Sequence, residues 1–377
     1  MKKVLHITNW YPNNWNDLEA IFIKEQYKLF SEVTTANLLH TQVRTGKKLL
    51  EYKYFKYSNS EEGYYLLTKI KSNKIIELLT TFLLCWVLFK VNYKKYDLIH
   101  FHIAYPLLTY YHLWKKIVKI PIIMSEHWSA YHFNFYMPKE TKKLNNIKRI
   151  FKQNIPLITV SKALLDDIEN FSGNKIDKSY IIPNVIDKKY YYYLDKKTKH
   201  KTVTFFALNN WRKIKNPFPM LEGFVKLASS NVEFNLVIGG YGELMEDMKK
   251  FVVKYKLEDS VSFCSKMNKQ EIANQLHISD AFVFSSIYET FSVVCAESLC
   301  CGVPIIGSDI SSISEYANSS SYLKLKNNNA DEWKNSLKYF IDNKEKYNNK
   351  LIEQKMNLYL SSGTIKKNYK KIIYENC

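Results

Sequence analysis

Six cysteines in 377 residues (Cys85, Cys264, Cys295, Cys300, Cys301 and Cys377) include no Cys-x-x-Cys pair. A chain of this size needs no disulfide framework, so the expected setting is a reduced cytoplasm. No Asp-x-Asp stands at a strand end, and a metal-clamped diphosphate is therefore not expected. No period of solenoid length recurs and no low-complexity tract is long enough for a disordered arm. The apolar run Ile75 to Phe89 is too short, and too interrupted by Glu77, to span a bilayer. The opening Met1 to Thr8 turns from charged to apolar, but Asn9 arrives before a signal-peptide core is complete, so it reads as a first strand. Acidic residues are the scarce charge: 36 Asp+Glu face 55 Lys+Arg, a net of +19 that falls mostly in the first half. Such a surface attracts nucleic acid, anionic membrane or phosphorylated substrate alike. The tyrosines are scattered rather than interleaved with basic residues as a stacking platform would be, so nucleic acid is not an expected partner.

What is present is length and alternation. With 46% hydrophobic residues, the chain can fill about two cores. Apolar runs alternate with amphipathic stretches, the pattern of parallel sheets with crossover helices rather than hairpins. Strands are expected at Val4–Thr8, Val33–Leu39, Leu98–Phe101, Ile120–Met124 and Leu157–Val160, with helices at 21–30, 73–90, 105–118 and 161–170. A second set restarts near Val203: Val203–Leu208, Phe234–Ile238, Val261–Phe263, Ala281–Ser285 and Pro304–Gly307. Between them, Ile182 to Asp187 and the Tyr- and Lys-rich stretch to Lys201 read as the hinge. The expected division is 1–185 and 186–361, with 362–377 an amphipathic terminal helix.

Glu289 and Glu297 sit in the run Ser285 to Pro304, SSIYETFSVVCAESLCCGVP. A strand enters it, Phe291–Leu299 has helical spacing, and Gly302 stops the helix, so Glu289 lies in the turn. A carboxylate at the carboxyl end of a parallel strand can accept from ligand hydroxyls, while the amides opening the next helix favour phosphate. Hydroxyls plus phosphate describe a nucleotide sugar. Arg212 and Lys215 follow the strand Val203–Leu208, where fixed cations would stabilise the charge gained by a departing diphosphate. Gly240 and Gly242 end a strand and open a helix, so backbone could approach the donor there, but Met245 stands where a dinucleotide fingerprint needs glycine.

The run resembles the donor-binding signature of family 4 of the retaining glycosyltransferases, which have the GT-B fold: two Rossmann-like α/β domains with parallel sheets facing across a cleft. The likeness continues from Ser279-Asp280 through Cys301-Gly302-Val303-Pro304 to Glu315. It implies that Glu289 meets the donor sugar, that Glu297 meets the ribose, and that Thr290, Phe291, Ser292 and Val293 line the donor. It also aligns Lys215 with the diphosphate lysine and His127 with a histidine lining the sugar, and has the terminal helix cross back to the first domain. The family's partner arginine commonly stands at the position of Asn210, so Arg212 follows a variant spacing. Ser292, Ser311 and Ser312 stand where glycines are usual, as does Ala20 in the loop that normally approaches phosphate and acceptor.

Acceptor-side candidates are Ala20, Trp128 and Tyr131, the last two in an aromatic loop suited to carbohydrate faces. His100 and His102 share one strand face and read as packing rather than metal ligands. The resemblance thus implies a metal-independent, hexosyltransferase-type enzyme with no cofactor. It would move sugar from a nucleotide diphosphate sugar to a glycan or lipid-linked acceptor, in surface polysaccharide biosynthesis. The lysines flanking Ile75–Phe89 leave peripheral contact with the inner face of a membrane open. The alternative is an epimerase of the same fold or a catalytically silent sugar-binding protein, suggested by the three serines.

Overall fold

The computed structural model describes residues 1–17, 19–138, 141–195 and 202–377. Residues 196–201, the end of the stretch read as a hinge, and Leu18 of the first loop lie outside the described residues. Met1–Val185 with Ser362–Cys377 form one compact unit, and Ile186–Ser361 form a second.

The first unit is built on eight strands: β1 (Lys3–Thr8), β2 (Thr35–Thr45), β3 (Glu51–Lys56), β4 (Glu61–Thr68), β5 (Leu98–His102), β6 (Ile122–Glu126), β7 (Leu157–Thr159) and β8 (Ser179–Ile181). Their order is β3-β4-β2-β1-β5-β6-β7-β8. Every pairing is parallel except β3 with β4. That antiparallel hairpin corrects the reading of the chain as free of hairpins. Its outer strand alternates half-buried and exposed residues, and with tyrosines and lysines sharing those positions the period of two carries little hydrophobic contrast. The helix expected over 105–118 shrinks to Tyr111–Trp114, because Pro106 has no N–H to donate and biases its predecessor away from helix. By contrast the helix Asn73–Lys90 has the expected bounds, with Leu83, Leu84, Val87 and Leu88 buried over β2 and β4.

Three histidines meet in the middle of this unit. His6 on β1 is in register with His100 on β5, and His102 follows on the same face. His6 Nδ1 lies 3.0 Å from His102 Nε2. His100 uses both nitrogens, on the Tyr369 hydroxyl at 3.0 Å and the Ser125 hydroxyl at 2.7 Å. Candidate ligand atoms of the three lie within 4.8 Å of one another, but those of His6 and His100 are engaged in this network. Tyr369 belongs to the terminal helix Ser362–Asn376. Its ring stacks on Phe30, and Ile365, Ile372 and Ile373 pack with Val4, Leu98 and Ile123. The terminal helix is thus held by apolar burial plus polar bonds to the sheet, among them Tyr369 with His100 on β5 and Glu375 accepting from Tyr180 on β8.

The second unit has six parallel strands: β9 (Val203–Asn210), β10 (Phe234–Tyr241), β11 (Val261–Phe263), β12 (Ala281–Phe284), β13 (Ile305–Ser308) and β14 (Tyr322–Leu325). Their order is β11-β10-β9-β12-β13-β14. These are near-continuous apolar runs, as strands covered on both faces require.

Candidate functional site

In this order the chain direction across the sheet reverses between β9 and β12, the point where sheets of this kind bind ligands at the carboxyl ends of their strands. Lys215 closes the 3-10 turn Lys213–Lys215 after β9, and Glu289 lies in the turn after β12. They meet: Lys215 Nζ donates to Glu289 Oε1 at 2.6 Å, with both side chains mostly buried. Ser286 Oγ donates to the same carboxylate oxygen at 2.7 Å, and Ser285 Oγ donates to the Lys215 carbonyl at 2.9 Å. Two turns from different strands are therefore tied by one ion pair and one hydroxyl, while Ser286 steadies Glu289 within its own turn. Sequence reasoning gave neither serine a role, although both open the run Ser285 to Pro304.

The positions that depart from glycine show why they are tolerated. Ser292, at the start of helix Val293–Cys300, has φ 61°, and Ala20, at the start of helix Ile21–Ser31, has φ 47°. Both keep a left-handed backbone that glycine adopts freely and other residues adopt at a cost. Ser312 Oγ donates to the Glu289 carbonyl at 2.7 Å, and the Tyr316 hydroxyl donates to the Phe291 carbonyl at 2.7 Å. The turn is thus held from the following loop. Relief of the strain should exceed the entropic cost of glycine, so Ser292→Gly and Ala20→Gly should each raise unfolding free energy by roughly 0.5–1 kcal/mol. Chemical denaturation measures this; a fall would show that the side chains themselves hold these turns.

Around this pair the other candidates divide. Thr290 and Val293 are half-buried, and Phe291 is buried against Tyr316 with rings 5.1 Å apart. Glu297 is buried on its helix, and burial lifts its carboxyl to about 8 despite Tyr191 and Lys269 nearby. The Tyr191 hydroxyl, a neighbour that sequence reasoning missed, faces it without a hydrogen bond of normal geometry. Burial raises the Cys295 thiol, with Glu289, Lys215 and Glu297 as further electrostatic influences on it. Arg212 is exposed. With the Asn210 amide oxygen turned toward it, that oxygen accepts from Arg212 Nη2 at 2.7 Å and Nε at 3.2 Å. Gly240 and Gly242 serve close packing: a Cβ at Gly240 would fall 2.0 Å from the Asn209 carbonyl, and one at Gly242 2.4 Å from that of Trp211. These glycines let the β10 loop support the segment that carries Arg212 and Lys215.

In the first unit, His127 follows β6 and is buried, its ring 4.8 Å from Phe22. Burial lowers its pKa to about 3, so it is neutral at physiological pH, and neither ring nitrogen makes a well-formed hydrogen bond. Trp128 packs between Trp10 and Phe135, at 4.9 and 5.0 Å. Tyr131 is 1% exposed and donates to Glu126 Oε1 at 2.6 Å, which corrects its reading as an acceptor-facing ring: it supports the loop from within. Glu126 is fully buried. It also accepts from the amides of Ala104 and His127, and burial lifts its carboxyl to about 7.

Comparison with known proteins fits this geometry. Residues 194–357 match the model of Glycosyl transferases group 1, and residues 66–190 match that of Glycosyltransferase Family 4. N-acetyl-alpha-D-glucosaminyl L-malate synthase of Bacillus anthracis is 25% identical over 232 residues, 59% of this chain and 59% of that protein. The chain thus spans little more than half the length of this curated relative. Among solved structures, sucrose-phosphate synthase from Thermosynechococcus elongatus superposes with a TM-score of 0.75 at 14% identity, covering 100% of this chain and 99% of that one. Anabaena Alr3699/HepE in complex with UDP and glucose gives 0.74 at 12% identity, with 100% of both chains covered. Their strand architecture is that of the GT-B fold. The chain belongs to family 4 of the GT-B glycosyltransferases.

Proposed function

We propose that the protein is a retaining glycosyltransferase that moves a hexosyl group from a nucleotide diphosphate sugar to a glycan or lipid-linked acceptor, in the making of surface polysaccharide at the inner face of the membrane. The observation that carries this reading is the Lys215–Glu289 pair at the point where strand order reverses, 2.6 Å apart although 74 positions separate them. The donor is assigned to the second unit and the acceptor to the first. Lys215, with Arg212, balances the charge of the diphosphate as the bond from the sugar carbon to phosphate oxygen breaks. Glu289 accepts from sugar hydroxyls and orients the ring, and Glu297 accepts from the ribose diol. The acceptor hydroxyl attacks on the face the diphosphate leaves, its oxygen bonding the sugar carbon as its proton passes to the departing phosphate. Those two cations supply the positive charge locally, which supports metal independence. The serines that suggested a silent protein keep the glycine-type backbone at 292 and brace Glu289 at 312.

Thermal-shift screening against uridine, guanosine and adenosine diphosphate sugars tests the reading. A donor at a hundredfold excess over its Kd adds about 2.7 kcal/mol, or roughly 5–10 °C for a unit of this size. Stabilisation with transfer or slow donor hydrolysis supports the transferase. Stabilisation without either points to the silent protein, and product with an inverted sugar centre points to the epimerase.

A further inference from the structure

The helix Asn73–Lys90 has two apolar faces, and only one is used by the fold. Its inner face packs over β2 and β4. On the other side Ile75, Leu78, Phe82, Trp86 and Phe89 are all exposed, Phe82 by 66%. At 100° per residue these five fall within an arc of about 80°, and they extend over about 21 Å of helix. A crossover helix on a sheet normally turns polar residues outward along that line. The one acidic residue of the helix, Glu77, is turned inward and accepts from the Tyr105 hydroxyl at 2.8 Å. The outer stripe therefore carries no negative charge.

Its ends are basic. Lys71 and Lys74 stand at one end and Lys90, Lys94 and Lys95 at the other, all exposed. The Lys90 ammonium lies 4.8 Å from the Trp86 ring centroid, and 5.8 and 5.4 Å from those of Tyr52 and Tyr54. The rings of Tyr52 and Trp86 meet edge to face at 5.3 Å. Tyr52 and Tyr54 share the exposed side of edge strand β3, so the stripe continues into a rim of tyrosine, tryptophan and lysine. Among the described residues no helix is long and apolar enough to cross a membrane, so any bilayer contact here lies along the surface.

We propose that the outer face of helix Asn73–Lys90, with β3 as its rim, docks on an anionic membrane surface. Aliphatic and phenylalanine side chains enter the acyl boundary, ring edges of tyrosine and tryptophan sit at headgroup level, and lysines meet anionic headgroups. A protein partner fits less well, because lysine is depleted from protein interfaces. The proposal extends the membrane contact left open by the sequence to a defined surface, and it does not depend on the transferase reading, since vesicle binding needs no donor.

Flotation of the full chain with phosphatidylcholine vesicles, with and without added phosphatidylglycerol, provides the test. Binding is expected only to the anionic vesicles and weakens with salt. Phe82→Glu should lower partitioning about tenfold or more with no loss in melting temperature. Lys94→Ala and Lys95→Ala, which lie beyond the helix, should each lower it about fivefold and serve if the first variant fails to fold. Absence of flotation, equal binding to neutral vesicles, or partitioning unchanged in these variants would overturn the proposal. So would sedimentation showing a wild-type dimer that Phe82→Glu dissolves and vesicles do not compete for, which would make the occupant a second copy of the chain.

Discussion

Replacing Glu289 by glutamine is expected to lower the rate of sugar transfer by about 10²–10³ while leaving affinity for the bare nucleotide diphosphate little changed. The amide keeps size and hydrogen bonding, so it can still accept from Lys215 and from Ser286, the present partners of Oε1. It lacks the charge that, in the proposed role, grips sugar hydroxyls as positive charge grows on the ring. Lys215→Ala should behave differently, losing rate by a similar factor and also weakening nucleotide diphosphate binding, because in the proposed mechanism the lysine acts on the phosphates themselves. Single-turnover transfer and calorimetric titration with the nucleotide diphosphate separate the two variants. If Glu289→Gln loses both quantities equally, that carboxylate does not serve the sugar, and the assignment of roles in the crevice fails.

Acid should unfold the first unit before the second. His6, His40 and His127 have pKa values lowered to about 3, and His100 and His102 lie well below the usual 6.5, in every case chiefly because burial disfavours the imidazolium. All five belong to the first unit. In the unfolded chain each binds a proton near pH 6.5, whereas in the fold each resists until far lower. The unfolded state therefore holds more protons in that window, and stability present above about pH 6.5 is lost as pH falls toward 3. Each group contributes a slope of up to about 1.4 kcal/mol per pH unit. Glu126, lifted to about 7, works the other way, since its protonated form favours the fold below that pH, but one such group does not balance five. In the second unit Glu297, lifted to about 8, loses stability as pH rises from the ordinary carboxylate range through 8. Hydrogen exchange followed by mass spectrometry between pH 7 and about 4 should show protection vanishing first in the strands β1, β5 and β6. Simultaneous loss in both units, or earlier loss in β9 to β12, would refute the expected order.

Much of the architecture was readable from periodicity. The strands Val261–Phe263 and Ala281–Phe284 and the helix Asn73–Lys90 stand where alternation and helical spacing place them, because apolar runs bounded by polar residues report local burial directly. Where hydrophobic contrast was weak, as in the Tyr- and Lys-rich hairpin β3–β4, the signal disappeared. The motif around Glu289 pointed to a strand-to-helix turn, but nothing local said that Ser312 would reach back to brace its carbonyl or that Glu126 would be buried.

By itself the sequence determined the alternation of strands and helices, the family, and which charged and polar residues stand in the motif around Glu289, since each of these is written in short stretches of neighbouring residues. Only the tertiary structure decided that Lys215 and Glu289 meet, that three histidines share one core with Tyr369, and that the second apolar face of helix Asn73–Lys90 is left in water. Those outcomes depend on which strands lie side by side and which helix face the sheet covers. Such relations are set by long-range closure of the chain, and no local period encodes them.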